Sequence, residues 1–162
     1  MKHKILIILV EEHVNINIYS IVIGDNNDNE MMTFLNSLIT QKRQEDAKQI
    51  VNQLTKIGEN GAYERYFRYE GKKTDRVCAL PGHYMIKSDC RLYCLRLNDS
   101  IIIIGNGGIK TTKTYQEDPY LSNCVGILQE IDKKIHDMIK SGDIKIVGKT
   151  ILGKLDFLIS IN

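Results

Sequence analysis

Cationic side chains gather around one predicted β-hairpin, in the stretch RLYCLRLNDSIIIIGNGGIKTTKTY. Arg91 and Arg96 belong to its first strand, whereas Lys110 and Lys113 follow its second strand, just after a group of glycines. Guanidinium and ammonium groups near a tyrosine, here Tyr115, are suited to holding a phosphodiester backbone and stacking on an unpaired base. The spacing therefore favours contact with RNA.

The local charge balance agrees with this interpretation. Between residues 63 and 115 there are ten Lys or Arg and five Asp or Glu, so this part of the chain is net basic. The whole chain of 162 residues has a formal net charge of only +2. Because so small a total charge does not indicate a nucleic-acid partner, the electrostatic case depends on the local surplus.

Two other residue patterns are better explained by structure than by chemistry. Gly105, Gly107 and Gly108 are not followed by the Gly-Lys-Ser/Thr of a nucleotide-binding loop. Close backbone packing or a bulge is therefore favoured over a phosphate cradle. The four cysteines show no Cys-X-X-Cys pair and no zinc-type spacing with histidine, so we expect reduced thiols, with no metal and no other cofactor.

The elements that must position these residues begin with β-rich sequence. A continuous apolar run covers residues 4–10, and alternation over 14–23 predicts a half-buried strand. The turn that follows, GDNNDN, offers a helix N-cap among its last residues, Asn27 to Asn29. Glu30 then falls in the first helical turn, where the helix dipole favours an acid.

Two amphipathic segments come next, at residues 31–41 and 47–57. The charged stretch 42–46 between them fits either a helical hairpin or one long helix with a break. Gly58 is a natural helix stop, and it introduces the loop Glu-Asn-Gly.

The second half of the chain alternates again in the manner of strands and closes with a helix. The predicted strands are 63–70, 77–80, 84–88, 90–98 and 100–104, and the predicted helix is 120–139. The apolar tail, 144–161, can add strands at a sheet edge. This order predicts an α+β fold: an antiparallel sheet with an N-terminal helical hairpin and a C-terminal helix packed on one face, and β extensions at both ends.

Chain length and the first residues bear on domain count and location. We expect one domain over residues 1–162, with a core of about 14–140 and extensions at 1–13 and 141–162. The first apolar run is shorter than a secretory core and has no small-residue cleavage site after it. No segment reaches the roughly 18 apolar residues of a membrane span. A cytoplasmic protein is therefore expected.

Several short motifs over roughly residues 30–140 are together similar to one protein family. They are Gly-Glu-Asn-Gly after the helical pair, Arg91-Leu-Tyr-Cys in a strand, and Ile109-Lys110 at the end of the last central strand. This set resembles the RelE/HigB-type toxins of bacterial type II toxin–antitoxin systems, in the RelE/ParE superfamily. The chain departs from the family where Ile109 replaces an aromatic residue and where Thr111 and Thr112 separate Lys110 from the next basic residue.

The resemblance implies a RelE-like fold and a ribosome-dependent endoribonuclease that cleaves mRNA and inhibits translation without a metal. Attack of a 2′-hydroxyl on the adjacent phosphate needs a proton acceptor, a proton donor and positive charge against the phosphorane. We assign phosphate stabilisation to Arg91, whose fork can bind two phosphate oxygens, and further charge stabilisation to Lys110. Tyr115 and Lys87 are the candidates for proton transfer. The candidate RNA-binding residues are Arg68, His83, Arg96 and Lys113.

The implied partners are a cognate antitoxin of the helix-turn-helix class, the ribosome and mRNA. Two other interpretations stay open. One is a non-catalytic interaction module on the same scaffold, either a degenerate toxin or a topoisomerase-binding protein of the ParE type, which the missing second basic residue favours. The other is a general RNA-binding α+β domain without cleavage, whose binding to single-stranded RNA would be salt-sensitive.

Overall fold

Strands and helices alternate in blocks along the chain. The computed structural model describes residues 1–69, 75–82 and 88–161. The strands are β1 (Lys2–Glu12), β2 (Asn17–Ile23), β3 (Arg68–Tyr69), β4 (Val77–Leu80), β5 (Cys90–Asn98), β6 (Ile101–Ile109), β7 (Ile144–Val147), β8 (Thr150–Gly153) and β9 (Asp156–Ser160), and the helices are α1 (Glu30–Thr40), α2 (Gln44–Asn60) and α3 (Pro119–Ser141). The α+β class predicted from the sequence is confirmed.

Seven of these strands form one sheet, in the order β3-β4-β5-β6-β2-β1-β9. Neighbouring strands are antiparallel except β2 and β6, which run parallel from the pair Asn17↔Ile101 to the pair Ser20↔Ile104. β9 pairs with β1, so both chain extensions join the main sheet. β7 and β8 form a separate two-stranded hairpin. The mostly antiparallel sheet agrees with the prediction, and the parallel pair at its centre was not foreseen.

The helices cover both faces of the sheet, and the prediction of a single covered face was wrong. Residues of α1 and α2 share a buried cluster with Leu92 and Cys94 of β5. Residues of α3 share another cluster with Tyr93 and Leu95, which alternate with the first pair along the same strand. The four isoleucines that begin β6 are all fully buried, because helices cover both faces of the sheet. A continuous apolar run of this kind is typical of a strand covered on both faces.

The helix boundaries follow capping residues for the most part. The Asn29 side chain accepts a hydrogen bond from the Met32 amide at 2.9 Å and begins α1, within the predicted cap region. Residues 30–60 form two helices rather than one. α2 continues past Gly58 to Asn60. Gly58 lies against the imidazole of His13, where a side chain would have no room. The predicted stop at Gly58 is therefore wrong.

The predicted strand at 63–70 is largely replaced. The structure has a short 3-10 turn at Glu64–Tyr66 and a two-residue strand, β3. Of the predicted strand 84–88, only Ser88 lies within the described residues. No helix in the described part of the chain has the length and apolarity needed to cross a membrane.

Candidate functional site

The β5–β6 hairpin brings Arg91 and Lys110 to the same end and face of the sheet. Arg91 lies opposite Gly108, and cross-strand partners share a face. Two residues further along the chain, Lys110 donates its amide to the Asp89 carbonyl at 2.7 Å, so the ladder continues past β6. The sequence predicted this juxtaposition, and the register agrees with it.

The Arg91 side chain is directed toward its own backbone. Only 8% of the residue is exposed. One guanidinium nitrogen donates to the carbonyl oxygens of Ser88 at 2.5 Å and Cys90 at 2.9 Å. In this conformation one guanidinium nitrogen of Arg91 is held by the backbone at the start of β5.

Arg96 lies on the opposite face of the sheet from Arg91, because five positions separate them along an alternating strand. Its Nε donates to the Ala62 carbonyl at 2.6 Å, and its terminal nitrogens pair with Asp99 and, at 3.8 Å, with Glu64. The two arginines therefore do not face one phosphate together, and any contact of Arg96 with RNA would be on the other face of the sheet from Arg91.

The Arg68 side chain is also buried and bonded to the backbone of the protein. Its Nε donates to the Pro81 carbonyl at 2.5 Å, and 9% of the residue is exposed. This bond ties β3 to the segment that leaves β4. His83 and Lys87, the remaining two candidates of this part of the chain, lie outside the described residues.

The lysines after β6 are the more accessible cations of the predicted site. Lys110 is half-buried and Lys113 is exposed, both in residues 110–114, which we call the cationic loop. The loop is held by its own contacts: the Thr112 hydroxyl donates to the Thr114 carbonyl at 2.6 Å, and the Lys113 amide donates to Glu117 at 3.1 Å. Both lysines are at least partly exposed to solvent, as contact with a phosphate requires.

Tyr115 lies in the core rather than on the surface. It is 8% exposed and belongs to the cluster under α3, where its ring meets Tyr93 edge-on at a centroid distance of 6.3 Å. In this position the ring cannot stack on an RNA base. The role expected for Tyr115 in base stacking or proton transfer is therefore not supported by its placement.

Close packing explains the glycines: against backbone at Gly107, as the sequence favoured, and against side chains at Gly105 and Gly108. A side chain at Gly107 would overlap the carbonyl of Arg91 across the hairpin. At Gly108 it would meet the Tyr120 ring at 3.3 Å, and at Gly105 the Leu128 side chain at 3.1 Å. The register shift between Leu92 and Cys94 marks a bulge at the same place.

A polar group that the sequence did not single out lies beside this bulge. Glu30, expected only as a helix-dipole residue, is 8% exposed and accepts from the Asn106 amide at 3.4 Å. Burial raises the pKa of the Glu30 carboxyl, and the Asn106 hydrogen bond opposes this in part. Tyr120 and Cys124 of α3 line the same small cavity. The contact depends on how the ends of β2 and β6 meet, which no local sequence pattern reveals.

The cysteines are four free, buried thiols, as expected. Burial raises the pKa of Cys90 and of Cys124 to about 12, so neither is a thiolate nucleophile at neutral pH. Among the described residues, no three His, Cys, Asp or Glu side chains come together where a metal ion could be held.

The residues of the candidate site are identified from the geometry of this chain alone. Comparisons with protein-family models, curated proteins and solved structures find no match to it.

Proposed function

We propose that this protein is the toxin of a toxin–antitoxin pair, an endoribonuclease of the RelE/HigB type that cuts mRNA at the ribosome. One observation carries the proposal: the β5–β6 register brings Arg91 to the same end and face of the sheet as Lys110. Lys113 follows in the cationic loop. Three cations at one sheet end suit the recognition and neutralisation of an RNA phosphate.

The chemistry follows from the requirements of phosphodiester cleavage. The 2′-oxygen forms a bond to the adjacent phosphorus, the bond to the 5′-oxygen breaks, and a cyclic phosphate and a 5′-hydroxyl result. Lys110 and Lys113 counter the charge of the phosphorane, and Arg91 joins them when substrate oxygens replace its carbonyl partners. Lys87 remains the candidate for proton transfer. No step requires a metal.

The partners of this proposal are the ribosome, mRNA and a cognate antitoxin of the helix-turn-helix class. An antitoxin that covers the cationic loop and the adjoining end of β5 would block entry of RNA. Acidic side chains suit such a contact because they would pair with Lys110 and Lys113.

Induced expression in bacteria without the antitoxin tests the proposal. Growth should stop, and primer extension should reveal new mRNA ends that require translating ribosomes. Lys110→Ala should relieve the arrest, whereas Lys48→Ala, which removes an exposed lysine of α2, should leave it intact. Far-UV circular dichroism of both purified variants checks that each is folded. Equal toxicity of the two variants would exclude Lys110 from the site.

A second candidate is a non-catalytic interaction module, either a degenerate toxin or a topoisomerase-binding protein. The specific observation in its favour is that Arg68, Arg91 and Arg96 donate to carbonyl oxygens or carboxylates of the chain itself. Growth arrest without new mRNA ends, accompanied by DNA-damage induction, would favour the topoisomerase partner. A folded protein without toxicity would favour the degenerate form.

A further inference from the structure

The parallel strands β2 and β6 diverge at a crevice. They pair as far as Ser20 and Ile104, after which β2 continues beside β1 and β6 continues beside β5. The chain leaves β2 for α1 on one face of the sheet and leaves β6 for α3 on the other face. Where two neighbouring parallel strands send their connections to opposite faces, a crevice opens beyond their carboxyl ends, and ligands of open α/β sheets bind there.

In this protein the crevice contains a cavity of about 60 Å³. That volume corresponds to roughly two water molecules, so the cavity fits a small polar group rather than a nucleotide. Among its lining residues, Glu30 is buried, whereas Tyr120 and Asn123, in the first turns of α3, are exposed. A ligand can therefore reach it from solvent.

The hydrogen bonds inside the crevice determine which polar groups face one another. The Asn106 side-chain oxygen accepts from the Gly107 amide at 2.7 Å, which turns the Asn106 NH₂ toward Glu30. Among the described residues, no Lys, Arg or His forms an ion pair with Glu30. A buried carboxylate without a cation is unfavourable, and a bound cation relieves that cost.

We propose that this crevice binds the ammonium group of a primary amine, with the Glu30 carboxylate as counter-ion. A primary ammonium carries three N–H donors on a compact head. Glu30, Tyr120 and Asn123 line the cavity, and the side chain of each carries an oxygen that can accept a hydrogen bond. One carboxylate with neutral oxygens suits a single positive charge. This site does not depend on the proposed nuclease activity.

Thermal unfolding of the full chain in different chloride salts at equal ionic strength tests the proposal. Methylammonium should raise the unfolding midpoint by about 3–6 °C at a tenfold excess over its Kd, whereas tetramethylammonium, which has no N–H donor, should not. Glu30→Gln should abolish the rise. Glu45→Gln, which changes an exposed acid in the first turn of α2, should keep it.

A second readout does not depend on the variants. In ¹H–¹⁵N spectra of the wild-type protein, methylammonium should shift the side-chain amide signals of Asn106 and Asn123. N-acetyl-lysine methylamide stands for a lysine side chain of a partner, and methylammonium stands for a free amine, so comparing the two identifies the source of the ligand. Binding of either compound, or of both, supports the site. A rise with tetramethylammonium or potassium equal to that with methylammonium would overturn the proposal. So would an undiminished rise in folded Glu30→Gln, or amide signals that neither amine moves.

Discussion

The same substitution, glycine to alanine, should have opposite effects at two positions of this protein. At Gly107 the added carbon would lie 2.8 Å from the Arg91 carbonyl carbon and 3.0 Å from the Leu92 Cα, and closer still to the Arg91 oxygen. Carbon atoms in favourable contact are about 3.5–4.0 Å apart, so the two strands must separate. At Gly126, inside α3, the added carbon would meet no heavy atom within 4 Å apart from its chain neighbours and the backbone of its own helix.

The magnitudes follow from these two environments. Gly107→Ala loses about two ladder hydrogen bonds and strains the bulge, for a loss of about 3–4 kcal/mol in the free energy of unfolding. The unfolding midpoint should then fall by roughly 10 °C. Gly126→Ala removes backbone freedom from the unfolded chain and should add about 0.5–1 kcal/mol, a rise of about 1–4 °C.

Urea unfolding followed by circular dichroism at a helical wavelength measures both changes, with linear extrapolation to water. The wild-type protein and Gly126→Ala serve as the references for Gly107→Ala. If Gly107→Ala unfolds at the wild-type urea concentration, the close approach of β5 and β6 at this bulge is wrong. In that case the placement of Arg91 beside Lys110, which depends on the same register, fails with it.

Three further predictions concern buried polar groups. Asp132→Ala should lower the free energy of unfolding by about 2 kcal/mol, measured by urea unfolding, because Asp132 accepts from the Arg76 amide and guanidinium at 2.5–3.2 Å. Arg76→Ala in the Asp132→Ala background should then cost little more. Because the pKa of Glu30 is raised, the folded state keeps the carboxyl proton to higher pH than the unfolded state does. The free energy of unfolding of the wild-type protein should therefore fall relative to that of Glu30→Gln as pH rises above about 4.5. Equal pH dependence of the two proteins in amine-free buffer would contradict this prediction. With pKa values of about 12, Cys90 and Cys124 should not react with Ellman's reagent at pH 8 until the protein is unfolded, and a fast thiol in native protein would contradict their burial.

Local patterns predicted much of the secondary structure near the hairpin, although the predicted second strand, 100–104, ends five residues before β6 does at Ile109. The alternation in β5 and the glycine cluster after the isoleucines indicated the strands, their tight turn and a bulge, all of which depend on neighbours in the chain. The continuous apolar run at Ile101–Ile104 also carried the signal of two buried faces, which the prediction of a one-sided sheet overlooked. The helix stop expected at Gly58 was wrong: the structure explains this glycine by its contact with His13, a residue distant in sequence, and not by a helix end.

The side-chain environment of the site was harder to predict. A sequence shows that Arg91, Arg96 and Tyr115 are near one another along the hairpin, but it does not show which groups satisfy them. Two of them turn toward carbonyl oxygens and the third fills the core under α3. Glu30 meets Asn106 only because β2 and β6 are parallel neighbours, a pairing between segments more than 75 residues apart in the chain.

The pairing of β1 with β9 has a consequence for how the protein matures during synthesis. Lys2 lies opposite Ser160, and the central strand β2 needs residues 101–104 before it has a neighbour on its far side. Such long loops slow folding, because chain entropy is lost before any distant contact forms. An emerging chain can therefore form α1 and α2 early, while the outer edge of β1 stays unpaired until Asp156–Ser160 has been synthesised. The seven-stranded sheet is complete only after that strand has left the ribosome.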